Sequence, residues 1–167
     1  SFKSAQLIAN SKDADKVERA FNALKEGYAG TVYAAQGGLL AGKALSDAGK
    51  PDVARGALEW VATEGADDAL KAVAGLRLAG MDIEKQAYDE AIKRLNGSMP
   101  VAFAGLVADR KGDAFLAQAK RNEAKEQYLI AWKALGNRLE YRQLVEIKLA
   151  SLGVEASTLS PVTEAVR

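Results

Sequence analysis

The sequence predicts an all-α fold, and three observations support this. Good helix formers such as Ala, Lys, Glu and Leu are frequent in the 167 residues, whereas 7% of residues are aromatic and three are proline. Small residues recur at every fourth position in several segments, which places them on one face of a helix. Two long segments also match each other position by position. The hydrophobic fraction of 49% is sufficient for a continuous core.

The N-terminal part is predicted to form one complete helix. Asp13 or Asp15 can cap its start, and Gly27 can end it. Its apolar face carries Val17, Ala20, Phe21 and Leu24. The preceding segment, Phe2 to Asn10, has the pattern of a truncated partner helix, and the chain begins with Ser1 instead of Met. We therefore expect that a segment upstream has been removed.

Residues 34–61 and 104–131 match at an interval of 70 residues, roughly twice the ~34-residue period of tetratricopeptide repeats. The matched pairs are Ala34 with Ala104, Gly38 with Ala108, Gly42 with Gly112, Leu45 with Phe115, Ala54 with Ala124, Leu58 with Tyr128 and Val61 with Ala131. The small residues allow a neighbouring helix to approach closely. A turn follows at residues 48–51 or 118–121, and Pro51 suits the first position of a helix. Each segment is therefore predicted to be a helix, a turn and a second helix.

A less regular helix pair is predicted between these two segments. Its first helix carries Gly75 and Ala79, its turn lies near Lys85-Gln86, and its second helix carries Ala91 and Leu95. Together with Ala54 and Ala124, Ala91 marks the second helix of each of three pairs.

The C-terminal part is predicted to contain a capping helix and a tail. The helix covers Arg138 to Leu152 and ends at Gly153. Its amphipathic face is formed by Leu139, Leu144 or Val145, Ile147 or Lys148, and Leu152. Residues 154–167 contain Ser, Thr and one Pro without a strong period, and they are predicted to be a flexible tail.

These elements predict a tetratricopeptide-like right-handed α-solenoid of about three helix pairs with flanking N- and C-terminal helices, over residues 1–153. Stacked pairs of this kind form a concave surface that binds peptides and proteins. The register of the first helices places there Gln36, Leu39, Lys43, Val73, Leu76, Leu106, Asp109 and Asp113. Four of these eight are aliphatic, as in grooves that bind a helix or an unfolded segment. The sequence leaves open whether a terminal helix covers them.

Composition and charge exclude several classes of function. The net charge is +1 and cations alternate with acids, so no basic stripe is present for nucleic acid. Histidine and cysteine are absent, which removes thiolate nucleophiles, histidine bases and their metal sites. We predict no catalytic residue, no cofactor and no metal. The lack of cysteine suits an oxidising compartment without identifying one. No apolar run approaches the ~20 residues of a membrane span.

Residues 37–44, Gly-Gly-Leu-Leu-Ala-Gly-Lys-Ala, have the glycine and lysine spacing of a phosphate-binding P-loop. Ala44 stands where the loop needs a hydroxyl to hold Mg²⁺, and the segment has a helical period with no strand before it. A helix is therefore predicted there.

Six other residues have a structural and a functional interpretation, and the structural one is favoured. Asp67 and Asp68 follow Gly65 and are predicted to cap a helix. Asp109 and Asp113 lie one turn apart beside Arg110 and Lys111, which predicts a solvated face with local ion pairs. Both tryptophans, Trp60 and Trp132, are predicted to pack between repeats.

A series of short motifs extends over most of the chain. They are Thr31-x-Tyr33-Ala34, Leu45 with Ala48-Gly49, Trp60-Val61, Leu76-Arg77-Leu78-Ala79, Ala87-Tyr88-Asp89-Glu90-Ala91, Gly105-Leu106-x-x-Asp109-Arg110-Lys111-Gly112-Asp113, and Tyr141-Arg142-x-Leu144. In order and spacing they resemble the YfgM family, the ancillary subunits of the bacterial SecYEG translocon.

The resemblance implies the periplasmic domain of an inner-membrane protein, separated here from one N-terminal transmembrane helix. It also implies association with the SecYEG translocon, a PpiD-like periplasmic chaperone and translocating polypeptides, and no catalytic residues. We therefore expect a non-enzymatic protein-interaction scaffold. Two alternatives remain open: a soluble adaptor or self-associating regulatory module without a membrane link, and a nucleotide-binding enzyme, which MgATP would stabilise.

Overall fold

The computed structural model describes Ser4, Gln6, Ile8 and residues 12–159, and the chain is helical throughout this part. Its α-helices are α1 (Ala14–Tyr28), α2 (Val32–Asp47), α3 (Pro51–Glu64), α4 (Asp68–Glu84), α5 (Tyr88–Leu95), α6 (Ala104–Ala117), α7 (Arg121–Leu135) and α8 (Leu139–Ser151). No β-strand occurs in these described residues, which confirms the all-α prediction. None of the described helices combines the length and the apolar character of a membrane span.

Two compact units divide the chain, one up to Pro100 and one from Val101. The first contains α1 to α5, and the second contains α6 to α8. Each unit is described below by itself. The prediction of one continuous domain over residues 1–153 stays a prediction.

Half of the α-helices named above begin where the sequence places a capping residue or a proline. The Asp13 carboxylate accepts a hydrogen bond from the Asp15 amide (3.0 Å), so Asp13 and not Asp15 caps α1. In the same way Asp67 accepts from the Leu70 amide (2.9 Å) at the start of α4, as predicted. Pro51 opens α3. The predicted partner helix, Phe2 to Asn10, lies outside the described residues except for Ser4, Gln6 and Ile8.

Four helices end in the same type of turn. In each, one residue adopts a left-handed backbone conformation, and the amide that follows it donates to the carbonyl five residues earlier. The left-handed residues are Gly49 (φ 75°), Gln86 (φ 64°), Ala119 (φ 59°) and Gly153 (φ 82°). The first three turns lead into the second helices α3, α5 and α7, as predicted. The fourth turn leads into a single 3₁₀ turn at Ala156–Thr158.

The core of the first unit depends on close contact between α2 and α3. A Cβ atom at Gly42 would lie 2.7 Å from Leu58 Cδ2, and one at Gly38 would clash with Val61. Trp60 packs on this core and meets Phe21 of α1 edge to face at 5.6 Å, which confirms its predicted packing role.

A buried ion pair joins three helices of the first unit. The Asp82 carboxylate on α4 accepts from Arg55 on α3 (2.7 Å) and from Arg94 on α5 (3.2 Å). Because Asp82 is buried, both arginines are needed to compensate its lost hydration.

The core of the second unit is formed by α7 with α6 on one side and α8 on the other. Its buried residues are Ala108, Ala124, Tyr128, Ala131, Trp132, Leu135, Val145 and Leu149. Trp132 is therefore in the core, as predicted. Val154 and Leu159, the two ends of the described part of the predicted tail, pack against this core. The remainder of that tail, 160–167, lies outside the described residues, so its flexibility stays a prediction.

Candidate functional site

Some of the predicted groove residues of the first unit lie on the surface, and others are buried in the core. Gln36 and Lys43 are exposed on α2, and Val73 is half-buried on α4. Leu39 and Leu76 retain 9% and 7% of their surface. Leu39 belongs to the same core cluster as Leu58, Val61, Ala74 and Leu78. Leu39 therefore helps to hold α2, α3 and α4 together, and neither leucine offers more than a small surface to a partner. A partner-binding role for the exposed positions stays a prediction.

The predicted groove residues of the second unit face their own chain. Leu106 is half-buried against the core, and Asp109 is 8% exposed. The Lys148 ammonium of α8 lies 2.8 Å from Asp109 Oδ1 and 2.9 Å from Asp113 Oδ1. The Tyr128 hydroxyl donates to Asp113 Oδ1 at 2.7 Å. These four side chains, Asp109, Asp113, Tyr128 and Lys148, are called the lysine cluster below.

The lysine cluster corrects the prediction that Asp109 and Asp113 form a solvated face paired with Arg110 and Lys111. The cation that binds both carboxylates is Lys148, 39 residues after Asp109. Spacing along a helix reveals partners one turn away, but a partner on another helix is set by packing. The cluster therefore fixes α8 onto α6 and α7.

Burial and hydrogen bonding shift the pKa values in the lysine cluster. Burial raises the pKa of Asp109, although the bond to Lys148 acts against it. Burial alone would lower the pKa of Lys148, but hydrogen bonds to Asp109 and Asp113 raise it above its usual value. Burial, together with the bond to Asp113, raises the pKa of Tyr128. The phenol therefore stays protonated and donates to the carboxylate.

Three further contacts fix the rotation of α8 about its axis. Trp132 Nε1 donates to Glu146 at 3.0 Å, and the Arg142 guanidinium lies 3.7 Å above the Trp132 ring. Arg142 also donates to the Gly136 carbonyl at 3.2 Å. With Val145 and Leu149 buried, one face of α8 is committed to the core.

Outside its core contacts, α8 presents four large apolar side chains to solvent, of which Leu144 and Ile147 lie side by side and Leu139 and Tyr141 lie to either side of them. Their exposed fractions are 66% for Leu139, 40% for Tyr141, 55% for Leu144 and 67% for Ile147. These four residues are called the α8 apolar face below. Four exposed large apolar residues within nine positions of one helix are unusual, and such clusters commonly mark interaction sites. The α8 apolar face is thus the candidate binding surface of the second unit.

The sequence predicted an amphipathic face of Leu139, Leu144 or Val145, Ile147 or Lys148, and Leu152, and the structure corrects part of it: Leu152 packs against the core, as do some of the alternatives. Of the predicted alternatives, Val145 and Lys148 turn inward, whereas Leu139, Leu144 and Ile147 turn outward. Apolar residues lie on both sides of the helix, so helical periodicity alone does not show which side faces the core. The available signal was this excess of apolar residues over what one helix face can bury.

The remaining candidates are structural in the described residues. Residues 37–44 lie inside α2, so their amide groups are bonded within the helix and no phosphate loop forms. Among the described residues, no group of three acidic, histidine or cysteine side chains is placed to hold a metal ion.

Comparison with known proteins gives a consistent result. The family model described as a tetratricopeptide repeat-like domain matches residues 1–154. A protein of Neisseria gonorrhoeae (strain ATCC 700825 / FA 1090) named ancillary SecYEG translocon subunit is 32% identical over 143 residues, which cover 86% of this chain and 68% of that protein. A protein of Escherichia coli (strain K12) with the same name is 29% identical over 103 residues, which cover 62% of this chain and 48% of that protein. No solved structure matches the chain.

Proposed function

This chain belongs to the family of ancillary SecYEG translocon subunits, and from that membership we propose that it links the SecYEG translocon to a periplasmic chaperone. Its tetratricopeptide-like repeats make it a protein-interaction scaffold. The proposed role is non-enzymatic: the scaffold holds a PpiD-like chaperone close to translocating polypeptides. The proposed location is the periplasmic side of the bacterial inner membrane, with membrane attachment through an N-terminal anchor outside this chain.

The observation that carries the proposal is the α8 apolar face. Its four large side chains are exposed, while other side chains of the same helix are held by the lysine cluster and by Trp132. A preformed apolar surface on a rigid helix loses little conformational entropy when it binds. It therefore suits a scaffold that binds one partner.

The turn after α8 indicates the kind of partner. Each of the three earlier turns of this type leads into a second helix of 8 to 15 residues, and α8 is followed by one 3₁₀ turn. Within residues 12–159, no further α-helix follows α8, and the four large side chains of the α8 apolar face are exposed. We propose that an apolar helix of a folded partner packs on this face, and that the chaperone supplies this helix.

Site-specific photo-crosslinking in cells tests this proposal. A photoreactive residue is placed at Leu144 or Ile147 of the full-length protein. The matched control is Ile130 of α7, another exposed aliphatic residue (51%) outside the α8 apolar face. We expect capture of the chaperone at both α8 positions and none at Ile130. Capture of translocon subunits or of translocating polypeptides at α8 would reassign the face, and capture of none of them would contradict the proposal.

A further inference from the structure

The first unit contains an open cavity that neither the groove prediction nor the α8 apolar face includes. It lies between the end of α3, the start of α4 and the segment that follows α5, and its volume is about 580 Å³. Pockets for small ligands and short peptide segments occupy roughly 300–1,000 Å³. The cavity is therefore large enough for one or two side chains of a bound peptide.

Two cations line the cavity with donors that have no partner among the described residues. Lys71 is half-buried, and its ammonium has no ion pair or hydrogen bond to any described residue. Arg94 uses Nε to bond Asp82 at 3.2 Å, which leaves its two terminal nitrogens without an acceptor in the described part of the chain. The Asp82 bond also holds the guanidinium in place. The cavity thus presents several preoriented donors to an anion.

Charge in the cavity favours an anionic ligand. Asp68 is the one acidic side chain among its described lining residues, against the two cations Lys71 and Arg94. Ser98 adds a hydroxyl at the rim. Carboxylates bind such lysine and arginine donors through short charge-assisted hydrogen bonds.

The rest of the lining is apolar or small, which narrows the ligand class. These lining residues are Met99, Pro100, Ala62, Thr63, Ala72 and Gly75. Gly75 lets the Met99 side chain approach α4 closely, because a Cβ there would lie 3.0 Å from the Met99 methyl group. A free inorganic anion would leave this apolar surface unused. A carboxylate next to an aliphatic side chain would contact both the cationic donors and the apolar lining of the cavity.

We propose that this cavity binds a peptide carboxylate, which Lys71 and Arg94 hold while a neighbouring aliphatic side chain packs on Met99. The carboxylate comes either from an acidic side chain or from a peptide C-terminus. Binding weakens with salt because the cations are partly exposed. The site is separate from the α8 apolar face, so changes in α8 leave it intact.

Amide chemical shifts of the ¹⁵N-labelled 167-residue chain test the proposal with three peptides. The first is acetyl-Ala-Leu-Glu-Leu-Ala-amide, the second is its Glu→Gln counterpart, and the third is the Gln peptide with a free C-terminus. We expect saturable shifts at Lys71, Gly75 and Ser98 with the first or the third peptide, whichever carries the preferred carboxylate, and none with the second.

Four variants locate the site. Lys71→Gln is expected to weaken the carboxylate peptide about tenfold, the effect of one charge-assisted hydrogen bond. Ser98→Trp blocks the rim and abolishes the shifts. Lys93→Gln, an exposed neighbour outside the cavity lining, is the matched control and keeps wild-type affinity. Asp68→Asn tightens binding, because it removes the acidic lining residue.

The opposite signs of Lys71→Gln and Asp68→Asn distinguish binding at the cavity from a loss of folding, and circular dichroism checks the fold of each variant. Equal binding of the neutral peptide would overturn the proposal. So would wild-type affinity in Lys71→Gln, or the absence of any saturable shift with either carboxylate peptide.

Discussion

Lys148 Nζ on α8 lies 2.8 Å from Asp109 Oδ1 on α6, and this contact joins two helices that are far apart in the sequence. Asp109 is buried, and Lys148 is the cation within reach of its carboxylate. The lysine cluster thereby determines which face of α8 meets the core and which face is left to solvent.

Removal of the Lys148 ammonium is expected to destabilise the second unit. In Lys148→Met the buried Asp109 carboxylate loses its charged partner, at an expected cost of about 2 kcal/mol in the free energy of unfolding. Urea unfolding followed by Trp132 fluorescence, in a Trp60→Phe background, measures the loss. Lys133→Gln is the control, because Lys133 of α7 is exposed and has no ion pair to any residue that the structure describes, and this change is expected to alter the free energy of unfolding by less than about 0.5 kcal/mol. Equal stability of the two variants would show that the Asp109 contact is not formed.

Alkaline pH is expected to weaken the lysine cluster. The folded pKa of Lys148 is raised above the unfolded value of 10.5, so its contribution is complete below pH 10.5 and is lost as pH rises through the folded pKa. Tyr128 acts in the same direction, because above its usual pKa of 10.0 the unfolded phenol ionises and the folded phenol does not. Wild type should therefore lose stability above about pH 10 more steeply than Lys148→Met.

The absorbance of tyrosinate distinguishes the titration of Tyr128 from that of Lys148. Because the folded Tyr128 keeps its proton, Tyr128→Phe should leave the amplitude of the titration unchanged until the chain unfolds. A smaller amplitude in that variant below the unfolding transition would contradict the raised pKa of Tyr128.

Alanine substitutions at two glycines on neighbouring helices are expected to change the stability of the first unit in opposite directions. A Cβ at Gly42 would meet Leu58 at 2.7 Å, so Gly42→Ala should destabilise the first unit by about 1–3 kcal/mol through overpacking. No atom lies within 4 Å of a Cβ at Gly56 in α3, and Gly56→Ala should stabilise the unit by about 0.5–1 kcal/mol through helix propensity. Thermal unfolding of both variants tests this pairing. The same sign for both would mean that α2 and α3 do not approach as closely as described.

The two faces of α8 are expected to differ sharply under mutation. Leu149→Ala removes buried methyl groups and should cost about 2–4 kcal/mol, whereas Leu144→Glu and Ile147→Glu should change stability by less than about 0.5 kcal/mol. Urea unfolding again gives the comparison. A large loss for Leu144→Glu would favour the alternative in which Leu144, and not Val145, faces the core.

Much of the fold could be predicted because its signals are local. Asp67 and Pro51 start helices through contacts with residues near them in sequence, and the small residues of α2 and α6 mark close packing. The left-handed residues Gln86 and Ala119 carry no glycine signal, and the repeat register located their turns. Local physics was sufficient for element order and for the turns.

The candidate site could not be predicted in the same way. Leu39 and Leu76 have the spacing of surface positions, but their burial depends on how closely α2 and α4 pack. Pairing of Asp109 with Lys148 is tertiary, and it determines the orientation of α8. An aliphatic residue in a repeat is equally compatible with core and with surface until its neighbouring helix is placed.

Affinity purification of the full-length, membrane-embedded protein tests the central claim most directly. Wild type is compared with the double variant Leu144→Glu/Ile147→Glu and with Ile130→Glu, the matched charge on α7. We predict that wild type and Ile130→Glu bring down the SecYEG translocon and the chaperone, and that the double variant loses the chaperone while its fold is retained. Equal recovery of the chaperone with all three proteins would contradict the assigned binding face, and the absence of translocon and chaperone from the wild-type sample would contradict the proposed scaffold role.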